Sequence, residues 1–173
     1  MRCYTGRGFI LREIIGIMAC DQHYVISNQG KLPWSCPEEI DFYRSMIKNQ
    51  IVIMGYKTYL QMPDSFFENH TAIVFSKKMR PALKPSVMIA SSLDDFYKLK
   101  SLPDHKQCYL IGGAEITTFF LENKAIDHFY LSEIEGFYPG NVFFPMHLMN
   151  NYPKTLYKSG PGFKVYYYGN LKE

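Results

Sequence analysis

The chain carries little excess charge of either sign. Its 19 Lys and Arg exceed its 16 Asp and Glu by three, for a formal net charge of +3. That excess is too small and too scattered to form a nucleic-acid-binding stripe, although a modest anionic ligand is compatible with it. Cysteine is sparse. Cys3, Cys20, Cys36 and Cys108 include no CxxC pair and no framework spacing, which points away from disulfides or zinc and toward reduced thiols in a cytoplasmic protein. No apolar run approaches the ~20 residues of a membrane-spanning helix. The first such run, Ile14 to Cys20, follows Arg12 and Glu13 and reads as a buried strand. There is no G-x-G-x-x-G and no Walker sequence, so an ordinary dinucleotide fold and a P-loop NTPase are unsupported. Repeats, heptads and low-complexity linkers are missing too. With 47% hydrophobic content over 173 residues, the expectation is one soluble domain over 1–173 with a sizeable core.

What is present is concentrated in "GKLPWSCPEEIDFY", Gly30 to Tyr43, which holds two prolines and the single tryptophan. Pro37, preceded by Ser35 or Cys36 and followed by Glu38, marks a helix start. The helix is expected to run to about Asn49. At roughly 100° per residue, Ile40, Phe42, Tyr43, Met46 and Ile47 share one arc and Glu38, Asp41, Arg44, Ser45 and Lys48 the other. Glu39 falls in the middle of the apolar arc. A carboxylate there loses water and has its pKa raised unless donors or a cation compensate, so its presence points to function.

The rest of the chain alternates strand and helix. Strands are expected at Ile51 to Gly55, Thr71 to Ser76, Val87 to Ala90 and in "QCYLIGG"; helices at Tyr56 to Gln61, after a Ser92 cap, and in "AEITTFFLEN". "HFYLSEIEG" and two further strands, near Thr155 to Lys158 and Phe163 to Gly169, close the chain around the turn "SGPG". This order predicts an α/β fold with a single mixed, mostly parallel sheet of about eight strands flanked by helices, ending antiparallel. Two strand-to-helix junctions, Gly55-Tyr56-Lys57-Thr58 and Gly112-Gly113-Ala114, lie where open α/β sheets bind ligands and where helix N-termini meet phosphate. Taken alone, a Gly-Gly at a strand end is more often a turn. Lys77, Lys78 and Arg80 read either as a solvated strand end or, with Lys57, as a cluster around one phosphate.

Together, "VISNQGKLPWSCPEEIDFYR", "IGIMAC", "IVIMGYKT", "AIVFSKK", "CYLIGGAEI", "YLSEI" and "GNVFFP" resemble, in order and spacing, the dihydrofolate reductase family. The likeness covers nearly the whole chain from Ile14, leaving 1–13 as an N-terminal extension without counterpart. It implies a dihydrofolate-reductase-like fold and NADPH-dependent reduction of 7,8-dihydrofolate to 5,6,7,8-tetrahydrofolate, with hydride delivered to C6 of the pterin and a proton to N5. It implies that Glu39 grips the pterin, Trp34 positions a water, Leu32 and Pro33 pack over the rings, and Ser132 hydrogen-bonds Glu39. On the substrate side it implies Ile17, Met18, Ile40, Tyr43, Met62, His70 and Ile111. On the cofactor side it implies Ala19, Ile26, Gly55, Lys57, Thr58, Ser76, Lys77, Gly112, Gly113, Ala114, Glu115 and Ile116, with Lys78 as a further candidate. Core packing explains most of the apolar members equally well; it does not explain Glu39. A cytoplasmic monomer acting on a small molecule, with no metal, nucleic acid or membrane, is the accompanying expectation.

Four positions depart from the family pattern. Tyr56 replaces a basic residue at the cofactor turn, Thr117 a tyrosine, His70 the arginine that binds the glutamate tail, and Asn141 an acidic loop residue. They leave two alternatives open: a reductase of a dihydropterin lacking that tail, or a pterin-binding protein without turnover.

Overall fold

The computed structural model describes residues 12–78 and 83–172. Cys3, Arg80 and most of the expected N-terminal extension lie outside them. The first strand, β1 (Ile14–Asp21), shows why a sheet forms here: Ile14, Met18 and Cys20 face one apolar layer, and Ile15 and Ile17 the other. A strand whose two faces are both covered reads as a continuous apolar run. β3 (Ile51–Gly55) repeats the pattern, with Ile51 and Ile53 in one layer and Val52 and Met54 in the other.

In chain order the remaining elements are β2 (Val25–Ser27), α1 (Pro37–Ile47), α2 (Tyr56–Gln61), α3 (Asp64–Glu68), β4 (Thr71–Phe75), β5 (Val87–Ala90), α4 (Leu93–Tyr97), β6 (Cys108–Leu110), α5 (Ala114–Glu122), β7 (His128–Ile134), β8 (Val142–Phe143), β9 (Lys154–Gly160) and β10 (Phe163–Tyr168). Eight strands form one sheet in the order β5-β4-β3-β6-β1-β7-β10-β9. All neighbours are parallel as far as β7, and the last two pairings are antiparallel. This is the mixed, mostly parallel sheet expected. A separate two-stranded ribbon joins β2 to β8.

α1 ends at Ile47 and not at Asn49, because Asn49 adopts a left-handed conformation (φ 58°) and Gln50 N–H turns back onto the Ile47 carbonyl. β4 formally stops at Phe75, one residue short of expectation, although Ser76 N–H still donates to the Ala90 carbonyl. Ser92 caps α4 as expected, its Oγ accepting from Asp95 N–H. Cys20, Cys36 and Cys108 are free and buried. Burial pushes the Cys20 thiol up to about 12, so it stays protonated. No helix among the described residues is long and apolar enough to cross a membrane.

Candidate active site

Pro37 opens α1, and Glu38 and Glu39 occupy its first turn, where the helix dipole favours negative charge. Burial wins over that dipole at Glu39. The residue is only 6% exposed, and loss of water raises its carboxyl pKa, opposed in part by Ser132. Ser132 sits on β7, beside Ala19 of β1 and Val165 of β10. It is 1% exposed, and its Oγ forms no hydrogen bond of acceptable geometry with any described residue. The hydroxyl therefore acts on Glu39 as a nearby dipole, and the full Glu39–Ser132 bond expected from sequence is not formed. A buried hydroxyl left without a partner beside a desolvated carboxylate is a pair of polar groups with capacity to spare for a ligand.

Around this pair the apolar layer on the α1 face gathers Ile17, Trp34 and Phe42, with Tyr43, Met62 and Ile111 packed against it. Tyr43 lies one turn after Glu39, and its phenol pKa is raised by burial and then by the Glu39 charge. Ile40 is half-buried. Met18 does not join them. Alternation along β1 turns it to the opposite face, where Thr117 Oγ1 lies 3.2 Å from its sulfur and a Cβ on Gly112 would lie 3.0 Å from its methyl. Thr117 is fully buried and donates to the Gly113 carbonyl at 2.8 Å. Leu32 is 56% exposed at the rim, whereas Trp34 is buried edge-on against Tyr138.

The two glycine junctions form one structure because β3 and β6 are neighbours. Gly55 N–H donates to the Gly112 carbonyl at 3.0 Å, and a Cβ on Gly113 would lie 3.7 Å from Thr58 Oγ1. Gly112 has φ +113°, a conformation that favours glycine, and the Gly112–Gly113 peptide is cis. By helix geometry the amides of Ala114, Glu115 and Ile116 lack intrahelical acceptors. These turns thus offer backbone donors at the carboxyl ends of parallel strands, a donor set that fits a pyrophosphate. Above them Lys57 and Glu115 are 3.7 Å apart and both exposed. Lys77 lies apart, its ammonium over the Phe119 ring at 4.7 Å, and Ser76 Oγ bonds the Lys78 carbonyl. Ile26 packs on the Met18 side, and Ala19 on the Glu39 side. No cluster of His, Cys, Asp or Glu suited to a metal occurs among the described residues.

His70 follows α3. Its ring stacks on Phe66 at 4.3 Å, and Nδ1 lies 2.8 Å from the Phe66 carbonyl. A carbonyl can only accept, so Nδ1 carries the hydrogen and Nε2 is the nitrogen left to meet a ligand.

The segment leading to Trp34 is laced to the segment after β7. Asn141 N–H donates to the Ser27 carbonyl, and Gln29 N–H to Asn141 Oδ1 at 3.0 Å. Asp21 accepts the Tyr138 N–H, and Gln22 exchanges two bonds with Gly136. Sequence reasoning missed Asp21. The signal was an acidic residue ending an apolar strand, a common start for a side-chain-to-backbone turn.

Residues 13–161 match the dihydrofolate reductase family profile. Among curated proteins, the chain is 28% identical over 148 residues to the dihydrofolate reductase of Ureaplasma parvum serovar 3, covering 86% of this chain and 91% of that one. It is 28% identical over 157 residues to the dihydrofolate reductase of Mycoplasma pneumoniae, covering 90% and 96%. Against the dihydrofolate reductase of Lactococcus lactis the identity is 28% over 137 residues, covering 76% and 77%. Since the matched region takes in every element from β1 through β9, with the buried Glu39 and the paired glycine turns inside it, the chain belongs to the dihydrofolate reductase family and is an oxidoreductase.

Proposed function

We propose that the chain, acting as one domain and as a cytoplasmic monomer on a small-molecule substrate, reduces 7,8-dihydrofolate to 5,6,7,8-tetrahydrofolate with NADPH. The observation that carries this reading is Glu39: a carboxylate on an apolar helix face, raised in pKa by burial, next to the unpartnered Ser132 hydroxyl. A pterin presents a ring N–H and an amino group at one edge, and a carboxylate accepts from both. When bound, NADPH supplies the hydride for C6, while N5 gains a proton. The amides of Gly113 to Ile116, with Thr58, would hold its pyrophosphate, and Lys57, Ser76 and Lys77 its 2′-phosphate. Within the chain, Glu39 anchors the pterin and, through water, governs the proton that N5 needs. Ile17, Ile40, Tyr43, Met62 and Ile111 hold the flat ring and exclude solvent, and Leu32 and Trp34 close the rim over it.

A second reading is favoured by His70. In place of a bidentate arginine, one ring nitrogen is committed to Phe66, so the grip on a glutamate tail is weak and a dihydropterin lacking that tail is a competing substrate. Following NADPH oxidation with dihydrofolate and with a tail-less dihydropterin separates the two. Higher kcat/KM for dihydrofolate supports the first reading; the reverse order selects the second, and no oxidation with either rejects both.

A further inference from the structure

Asp21, at the end of β1, is fully buried. A carboxylate in that setting is costly unless every lone pair is used. Its partners are all main-chain donors. Oδ1 accepts the N–H groups of His23 at 2.8 Å and Val25 at 2.9 Å, and Oδ2 accepts that of Tyr138 at 2.8 Å. No ion pair to it occurs among the described residues. One side chain therefore binds two segments 117 positions apart in the chain.

Each oxygen has a structural consequence. Oδ1 folds residues 21–25 into a turn, with Tyr24 at φ 67°, and delivers Val25 into β2. Oδ2 fixes Tyr138, whose ring meets the Trp34 ring edge-on at 5.9 Å. Beyond Tyr138, Gly140 lies so close to the first segment that a Cβ would approach Val25 Cγ1 to 2.1 Å. Asn141 then bonds Ser27 and Gln29. The spacing between the two segments is thus set at the Asp21 carboxylate and passed to Trp34, two residues beyond the exposed Leu32.

We infer that Asp21 is a positioning residue for hydride transfer: its carboxylate holds the 22–34 segment against Tyr138 so that Leu32 and Trp34 close over the reacting rings. The inference rests on the function proposed above. Three converging N–H donors call for two anionic acceptor atoms. An asparagine offers one acceptor, and its NH2 would confront a backbone N–H, donor against donor.

The test is Asp21→Asn, read first through Trp34, the only tryptophan of the chain. The variant should keep the far-ultraviolet circular dichroism of the wild type while acrylamide quenching of Trp34 rises about twofold or more. kcat with NADPH and dihydrofolate should fall about tenfold with KM for dihydrofolate within about twofold, and the isotope effect with deuterated NADPH should grow as hydride transfer becomes limiting. Ile126→Val, a core change away from both segments, controls for general destabilisation and should leave quenching and isotope effect unchanged. Tyr138→Ala keeps the N–H that Asp21 accepts but removes the ring beside Trp34, and should reproduce the quenching and kcat changes even if Asp21→Asn does not fold. Wild-type quenching and kcat in Asp21→Asn, or in Tyr138→Ala where Asp21→Asn does not fold, overturn the inference. So do losses no larger than those of Ile126→Val. If the wild type itself fails to oxidise NADPH with dihydrofolate, the proposed function falls, while the quenching arm still reports whether Asp21 holds the segment.

Discussion

At Glu39 two effects pull on one proton. Burial favours the neutral acid, and the Ser132 dipole, with the first turn of α1, favours the anion; burial is the larger. The raised pKa has a stability consequence. In the pH window between an unfolded glutamate's ordinary ~4.3 and the raised native value, the native state binds more protons than the unfolded chain. Stability contributed by the neutral acid is therefore full below that window and lost as pH rises through the native value. Glu39→Gln should accordingly raise Tm at neutral pH, with the gain vanishing in mild acid, while hydride transfer falls by roughly 100-fold or more because an amide cannot handle the proton. Thermal melts across pH and single-turnover rates check the two halves separately. A Tm unchanged at neutral pH would mean that water reaches the carboxylate.

His70 is the residue on which the second substrate reading proposed above rests. With Nδ1–H committed to Phe66, the neutral ring presents Nε2 as an acceptor, which repels a carboxylate; only the imidazolium offers a donor there. The neutral ring should therefore hold a glutamate tail less well than an arginine would, a deficit that a tail-less dihydropterin does not feel. His70→Arg should lower KM for dihydrofolate by about 1 to 2 kcal/mol and leave kcat alone, because the tail is remote from C6. Steady-state kinetics of both substrates make the comparison. Equal shifts for the two would place His70 away from the tail.

Among the elements, those with strong periodicity were legible. The β3, β5 and α2 bounds agree with the sequence reading to the residue, because apolar runs end there at glycine or at a helix cap. α3 and the β2–β8 ribbon were not seen. DSFFE is a single helical turn after Pro63, too short for a period, and β2 has three residues whose strand partner among the described residues is β8, more than 110 positions later. The glycine turns of β3–α2 and β6–α5 could be picked out singly, but their junction through Gly55 and Gly112 is a property of strand order that no local pattern encodes. The candidate site was legible at Glu39, where polarity contradicted its helix face, and illegible at Asp21, whose meaning depends on Tyr138. On the cofactor reading proposed above, replacing Lys57 and Lys77 with Ala should narrow the NADPH to NADH preference by about 1 to 3 kcal/mol, toward the lower end because both residues are exposed, Lys57 already faces Glu115 and the Lys77 ammonium lies over the Phe119 ring. Binding titrations of the two nucleotides provide the ratio. A preference that does not move would relocate the 2′-phosphate.

Across the whole molecule, the apolar layer that holds Phe129 is tightly packed where β1 and β7 pair. Gly16 faces the Phe129 ring so closely that a Cβ would sit 2.2 Å from it. Gly16→Ala should therefore cost about 1 to 3 kcal/mol of stability through overpacking, measurable as a lower denaturant midpoint, and Gly16→Ala combined with Phe129→Leu should recover part of it. Recovery that fails would mean the backbone of β1, and not the ring, gives way.

Among the described strands β1 comes first in the chain, yet its two neighbours in the sheet are β6 and β7, which bring in Cys108 and His128. β3, β4 and β5 pair in succession and close shorter loops. During synthesis they have partners before β1 does, so the strand carrying Asp21 must wait, apolar on both faces, until β6 and β7 have been made. Long-range closure of this kind slows folding and lengthens exposure to misassociation. The centre of the finished sheet therefore gains protection later than its β3–β4–β5 edge, and the apolar layer around Glu39, to which β1 contributes Ile17, depends on the same long-range closure.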